Sequence, residues 1–358
     1  MARTLLPLLV LFLTSCSSYP SRIASSRRAF ETENYELAIR ELTDLAAKHD
    51  EDELLLLLEL GLTQHASGQY QNAIETFQKA EKLSALTDHT SVSQEAGSVL
   101  LNDTVKTHKL DQYEKGLIST YLAIDYTLLK KWESALVECR RMNQKADLSL
   151  SEGQNPWTRN AFSKYLAGIL FENEREFNDA WVDYRTSYRW APEFPFHSVS
   201  LLRMAQILKA QQEWNQYKKE FPQAQDFQMK KGWGELIVIA EVGRAPYKLE
   251  DPAFRLVPLM VRSPYSTDHL KVASSHLSES VRTYTLFDIE NTAILELEDR
   301  RSALAAKKIG GIVAKQVAAH GVEKITKSPE LGAMSAILLH LTDRPDLRSC
   351  PFYRRSYN

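Results

Sequence analysis

The chain of 358 residues contains only three cysteines, and its charges nearly cancel. Three cysteines are too few for a disulfide-stapled scaffold or a cysteine-rich metal site. Lys and Arg number 44 against 46 Asp and Glu, so the net charge is −2 and the chain lacks the basic field that a nucleic-acid partner requires. Apolar residues make up 44% and charged residues 25%, which excludes the disordered and low-complexity classes.

Catalytic and phosphate-binding motifs are missing as well. The sequence has no HExxH, no GxSxG and no P-loop, and its nine histidines show no metal-ligand spacing. Glu235 and Glu241 flank an apolar run on one face of a predicted strand, but a separation of about 20 Å is too great for a catalytic carboxylate pair. We therefore expect no metal, no cofactor and no enzymatic activity.

The beginning of the chain, MARTLLPLLVLFLTSC, carries a targeting signal. One cation, Arg3, precedes an apolar run over residues 5–13 that is too short to cross a bilayer, as in a secretory signal. Residues 13–16, Leu-Thr-Ser-Cys, resemble the bacterial lipobox. This resemblance implies that residues 1–15 are a lipoprotein signal peptide and that Cys16 takes a diacylglycerol and an amide-linked fatty acid such as palmitate. The alternative is an ordinary signal peptide with a chance cysteine.

The residues after Cys16 bear on where the anchor would be held. Ser17 stands where an Asp favours retention in the inner membrane of Gram-negative bacteria, so the lipobox resemblance implies outer-membrane sorting. The serine-rich residues 16–26 predict a short tether. No later stretch reaches about 18 apolar residues, so nothing else is predicted to span a bilayer.

Internal repeats fill the next part of the chain. Residues 54–87 resemble the tetratricopeptide repeat, a helix pair of about 34 residues. Ala73 and Phe77 are four apart and share one helix face, while Gly61, twelve residues before Ala73, lets the two helices approach closely. Gly68 is placed to make the turn between them.

The same frame recurs twice more. Residues 116–149 and 161–194 again have small residues twelve apart, at positions 123 and 135 and at positions 168 and 180. A weaker copy precedes these repeats and a degenerate one follows them, as expected of units that cap a stack. We predict a tetratricopeptide-like helical repeat array over residues 27–225, with a generic helical bundle as the alternative.

Stacked helix pairs form a concave face that suits an extended peptide or a helix. Exposed aromatic residues on that face would anchor a protein partner. The candidate protein-binding residues are Tyr126, Trp157, Trp181 and Tyr188. The alternative for each of them is packing inside its own repeat.

The pattern changes near residue 232. Residues 235–242, ELIVIAEV, form an apolar run between Gly234 and Gly243 that predicts a strand. Residues 254–262 predict a second strand, which Pro258 restricts to a sheet edge. Further strands are predicted at 269–274 and 281–288, and helices at 291–325 and 331–341. The predicted fold class is mainly α, with the repeat array followed by a small α+β module at residues 232–349.

Three blocks, at residues 121–143, 162–188 and 232–250, carry a wider resemblance. In this order they are similar to a family of tetratricopeptide-containing lipoproteins of Gram-negative bacteria, over roughly residues 90–348. Some members are encoded near lipoprotein activators of penicillin-binding proteins, which implies work in the cell envelope. Members usually continue beyond the equivalent of residues 344–349 into a Trp and more β-structure, so we expect that the C-terminal end here is a truncation.

These features predict a periplasmic lipoprotein anchored in the outer membrane, acting as a non-enzymatic protein-binding scaffold in cell-envelope biogenesis. The expected partners are envelope proteins, together with the membrane through the lipid anchor. One alternative is an assembly factor for outer-membrane proteins or exported polysaccharide. A second is a glycan-binding or enzymatic module in the C-terminal part, centred on residues 232–262.

Overall fold

A computed structural model describes residues 19–94, 108–153, 159–224, 234–264, 269–273, 280–326, 328–331, 333–334 and 345–349. The predicted signal peptide and the predicted site residues Cys16 and Trp157 lie outside these residues, as does most of the helix predicted at 331–341.

The first two-thirds of the chain is a stack of helix pairs, and neighbours in sequence are neighbours in space. In chain order the helices are α1 (Tyr19–Arg22), α2 (Ala24–Glu31), α3 (Tyr35–Ala46), α4 (Glu53–Ala66), α5 (Tyr70–Gln94), α6 (Gln112–Leu128), α7 (Trp132–Gly153), α8 (Ala161–Asn173), α9 (Phe177–Trp190), α10 (His197–Ile207) and α11 (Gln211–Glu220). The even-numbered helices from α2 to α10 are the first helices of the pairs, and each odd-numbered successor is the second. The predicted helical repeat array is confirmed.

The same turn closes every pair. The residue two positions before each second helix is left-handed, with φ between 55° and 80°, and the next residue donates its N–H to a carbonyl five residues back. These left-handed residues are Glu33, Gly68, Lys130, Arg175 and Lys209. This is the Schellman closure of a helix C-terminus, and only one of the five turns uses glycine.

A close approach of the two helices fixes the packing inside a pair. A Cβ atom added at Gly61 in α4 would lie 2.7 Å from Cε1 of Phe77 in α5, and one at Gly168 would lie 2.7 Å from Cδ1 of Tyr184 in α9. Since real Cβ atoms do not approach carbon so closely, the ring occupies the space that a side chain would need. The predicted small-residue frame is thus confirmed at both glycines.

The pair of α6 and α7 has different residues at these two positions. At the positions equivalent to a glycine and a ring it has Ala123 and Cys139, both fully buried. The extra methyl group in α6 is matched by the smaller side chain in α7. Burial raises the pKa of the Cys139 thiol well above its ordinary range, so this residue behaves as a small apolar core residue.

The prediction of a tether over residues 16–26 is wrong from residue 19 onward. Tyr19 and Ile23 lie four apart on α1 and its junction with α2, and both are buried against the core around α4. The neighbouring Arg22 forms ion pairs with Asp50 and Asp52. The serine content suggested a solvated linker, but the apolar pair and the arginine give this short segment a docked helical face.

The C-terminal part contains two small antiparallel ladders and a long helix. Strand β1 (Tyr247–Glu250) pairs with β2 (Pro258–Val261), with Glu250 opposite Pro258, and β3 (Lys271–Val272) pairs with β4 (Val281–Arg282). Helix α12 (Ile289–Thr326) follows. The predicted mixture of strands and helix is confirmed, although the strands are shorter than predicted.

The strand predicted at residues 235–242 is wrong. Residues 234–246 form no ladder with any strand in the part of the chain that the structure describes. An apolar run between two glycines predicts an extended chain, but it does not say whether a neighbouring strand is present. We call residues 234–246 the crossing segment, because of the path described below.

Helix α12 joins the C-terminal part to the array. The carboxylate of Glu296 accepts hydrogen bonds from the backbone N–H groups of Gln112 (2.9 Å) and Tyr113 (3.3 Å) at the start of α6. The first N–H groups of a helix have no partner within it, and a negative charge there is favoured by the helix dipole. Met260 and Ala293 complete the contact by entering the core around α4.

The fit between Gly61 and Phe77 can be tested by adding one methyl group. We expect Gly61→Ala to lower the free energy of unfolding by about 1–3 kcal/mol, because the methyl group overlaps the ring. The matched control is Gly116→Ala in α6, where an added Cβ meets nothing within 4 Å and better helix propensity should raise stability by up to about 1 kcal/mol. Urea denaturation followed by circular dichroism measures both. Equal effects at the two sites would contradict the proposed fit.

Candidate functional site

The crossing segment passes over the face formed by the first helices of the pairs. Near its start, a carboxylate oxygen of Glu235 lies 3.4 Å from a guanidinium nitrogen of Arg203 in α10. Six residues later, Glu241 lies 3.6 Å from Nε2 of His65 in α4. Helices α10 and α4 are three steps apart in the stack, and each step is about 8–10 Å. Six residues of fully extended chain span only about 20 Å, so the segment must be extended here and the long side chains of the two contacts cover the remaining distance.

The segment continues to the beginning of the array. A guanidinium nitrogen of Arg244 lies 3.8 Å from the Glu31 carboxylate in α2, and Ala245 packs on the core around α4. On its way the charge of Glu241 also acts on Asp125 in α6. The crossing segment therefore runs antiparallel to the order of the repeats, from the last pair to the first, along one face.

Arg203 holds the first end of the segment. Its side chain is 9% exposed, and its Nε lies 2.6 Å from Oε1 of Glu172 in α8. The Tyr184 hydroxyl donates to the same carboxylate at 2.8 Å. Burial alone would lower the pKa of Arg203, but the charges of Glu172 and Glu235 and a hydrogen bond to Glu172 raise it overall. The guanidinium is therefore a fixed positive charge between an inner and an outer carboxylate.

His65 holds the second end in a similar way. Its Nδ1 lies 2.5 Å from Oδ1 of Asp125, whose side chain is fully buried, while its Nε2 faces Glu241. The rings of Tyr70 and Tyr121 meet the imidazole edge to face, with centroids 5.8 Å and 5.1 Å away. Burial raises the pKa of Asp125, the hydrogen bond and charge of His65 oppose this, and the charge of Glu241 adds to it.

The middle of the crossing segment is poorly covered. Leu236 is 77% exposed, Ile237 and Val238 are each 45% exposed, and Ile239 is 39% exposed. Four consecutive apolar residues seldom remain this accessible on a folded protein. Between its contacts with Arg203 and His65, the segment therefore gains little from burying apolar side chains.

The aromatic residues predicted as anchors lie elsewhere. Tyr126 is half-buried, and its hydroxyl accepts a hydrogen bond from Nε2 of Gln78 at 2.9 Å. Trp181 and Tyr188 lie on α9, a second helix, where both pack against the core shared by α7 to α11. The structure does not bring these three residues together beneath the crossing segment, and their role in binding stays a prediction.

A separate shallow cavity of about 570 Å³ lies between α7 and α9. Two of the polar side chains that line it bind each other and a neighbouring lysine: Nδ2 of Asn143 donates to both oxygens of Asp183 at 3.0 Å and 2.8 Å, and Nζ of Lys164 donates to Oδ1 of Asn143 at 2.6 Å. These groups are engaged with each other and do not converge on the open space.

Within the ranges given above, no group of three or more His, Cys, Asp and Glu side chains is arranged to hold a metal ion. Over the same residues, no helix combines the length and apolar character needed to cross a membrane.

Sequence reasoning missed the residues that hold the crossing segment. His65, Asp125 and Arg203 belong to three different helix pairs, so no local spacing connects them. One signal was available: each is a polar residue in a first helix that is otherwise largely apolar. A polar residue at such a position is buried only with a partner, and the partner here comes from far along the chain.

The chain has only loose similarity to known proteins. No protein-family model matches the chain, and no curated protein matches it. Among solved structures it is similar to MamA from Desulfovibrio magneticus RS-1, with 17% identity and a TM-score of 0.36, covering 56% of this chain and 89% of that one. It is also similar to a putative kinesin light chain from Podosopora anserina, whose own TPR-like repeats are nearly identical to one another. The identity is 14% and the TM-score 0.38, and the match covers 56% of this chain and 92% of that one. At these TM-scores the superposition is loose, and the repeat architecture rests on the chain's own helix pairs.

An enclosed histidine lies at the start of the helix that carries Arg203. His197 begins α10, is fully buried, and is surrounded edge to face by Tyr165, Tyr188 and Phe194, with ring centroids 5.1–5.6 Å away. Burial lowers the pKa of His197 to about 4. The folded protein therefore holds this imidazole neutral among the rings.

We expect His197 to make the fold sensitive to acid. Below about pH 6.5 the unfolded chain binds a proton at this imidazole, whereas the folded chain binds it only near pH 4, so stability is lost as the pH falls through this window. Between pH 7.5 and 4.5 the wild type should lose about 2–3 kcal/mol relative to His197→Leu, which cannot titrate there. Urea denaturation at both pH values measures the difference. Parallel stability curves for the two proteins would contradict the assignment.

Proposed function

We propose that this protein is a non-enzymatic scaffold that binds another protein on the face formed by its first helices. The observation that carries the proposal is the crossing segment, a stretch of polypeptide that lies along this face over the span from α10 to α2. A surface that holds one extended chain across several repeats has the length and the charged anchors to hold another. Arg203 and His65 face the carboxylates of Glu235 and Glu241, and this contact supports a binding role for Arg203 and His65.

We further propose that the protein works in the Gram-negative cell envelope, tethered to the outer membrane at Cys16. The support comes from the lipobox at residues 13–16, from Ser17 after it, and from the resemblance to tetratricopeptide-containing lipoproteins. Several acyl chains hold a protein at a bilayer where a single chain gives only weak binding. The partner would then be an envelope protein that faces the periplasm.

The binding face can be tested by photo-crosslinking in intact cells. A benzophenone amino acid placed at Leu236, on the crossing segment, should capture a protein partner, because this side chain is 77% exposed beside the face. The matched control is the same substitution at Val182, an aliphatic residue of α9 that is 60% exposed. The captured protein is identified by mass spectrometry. Equal capture at both positions, or capture at Val182 alone, would place the binding surface elsewhere.

The anchor can be tested by removing the lipid-accepting thiol. Cys16→Ala should move the protein from the membrane fraction to the soluble fraction, since no acyl chain can then be attached. Cys139→Ala is the control, because this cysteine is buried in the core and should leave the distribution between fractions unchanged. Immunoblots of separated membranes measure both. A Cys16→Ala protein that stays with the outer membrane would exclude lipid anchoring at this residue.

A further inference from the structure

We propose that the crossing segment is a built-in ligand of the binding face, and that the partner replaces it with an extended apolar segment carrying a carboxylate at each end. The partner's two acidic residues would be six positions apart, as Glu235 and Glu241 are. This inference rests on the proposed scaffold function and specifies the chemistry of what the scaffold binds.

Each anchor has an inner partner that stays and an outer partner that can leave. Arg203 lies 2.6 Å from Glu172 within the array but 3.4 Å from Glu235, and His65 lies 2.5 Å from Asp125 but 3.6 Å from Glu241. The short contacts join array to array, and the long ones join array to segment. Losing the segment therefore leaves both anchors positioned and partnered, ready to receive another carboxylate.

The outer contacts are also the more solvated ones. The side chain of Glu235 is 45% exposed and that of Glu241 is 27% exposed, whereas Arg203 is 9% exposed and His65 is 13% exposed. Polar contacts with a solvated partner contribute little to stability. The exposed apolar residues between them add little more. Exchange of the segment for a similar one in another protein is thus energetically accessible.

The segment still competes well because it belongs to the same chain. A tethered ligand meets its site at an effective concentration in the millimolar range, so a weak intrinsic affinity suffices to occupy the face. A partner must then present both carboxylates and the apolar residues between them at once. Segments with basic residues at the same positions would face the guanidinium of Arg203 and would be rejected.

The experiment measures binding of a fluorescent peptide with the sequence of residues 234–246 to the full-length protein. The protein variant is Glu235→Gln/Glu241→Gln, which releases the built-in segment while keeping its shape, with the wild type for comparison. Circular dichroism establishes that both proteins carry the same helix content. Fluorescence anisotropy should show binding to the variant at least ~10-fold tighter than to the wild type, because the wild-type face is already occupied.

A second peptide tests the charge requirement without altering the protein. The same peptide with Gln at both acidic positions should bind the double variant at least ~10-fold more weakly than the acidic peptide, because Arg203 and His65 lose their outer partners. Equal binding of the acidic peptide to wild type and variant, binding to neither, or equal binding of the two peptides to the variant would each overturn the proposal.

The peptide experiment tests the built-in ligand, and the crosslinking experiment tests the scaffold function, so the two can fail independently. If crosslinking at Leu236 captures a partner while the peptide does not distinguish the two proteins, the scaffold stands and the built-in ligand does not. If Leu236 captures nothing while the peptide behaves as expected, the same probe is placed at Leu128, which is 49% exposed on α6 and stays with the array when the segment leaves. Absence of capture at Leu128 as well would remove the proposed partner.

Discussion

The array depends on a close contact inside its helix pairs, in which an aromatic ring of the second helix packs directly on a glycine of the first. Phe77 and Tyr184 each lie where a side chain at Gly61 or Gly168 would have to be. The contact limits how closely the two helices of a pair can approach. The third pair has the fully buried Ala123 and Cys139 in place of glycine and ring, so a small residue recurs in the first helix while the residue facing it varies.

Stacking by this rule places the first helices side by side and brings Arg203 and His65 to one face. Neither residue is near the other in sequence, so no local spacing connects them. Their common property is an inner carboxylate from a neighbouring first helix, Glu172 for one and Asp125 for the other. The binding chemistry is thus produced by contacts between repeats.

The sequence predicted the helix pairs well because their signals are local. Spacings of three, four and twelve residues report on packing within one pair, and such patterns stand out in the sequence itself. The two errors share a cause. Residues 19–26 look like a polar linker until Tyr19 and Ile23 meet α4, and residues 235–242 look like a strand until their neighbours prove to be helices. What a segment packs against is a long-range property, and the candidate site depends on it entirely.

The contact of α12 with the array decides how this protein can be dissected. Glu296 occupies the N-terminus of α6, and Met260 and Ala293 cover part of the leucine-rich core around α4. A fragment ending near residue 225 would keep every repeat. It would also expose the first backbone N–H groups of α6 and the part of the apolar core that Met260 and Ala293 cover. Such a fragment would tend to self-associate, and its apparent partners would include whatever covers that surface. Binding measured with isolated repeats of this protein would therefore report on the surface exposed by the truncation.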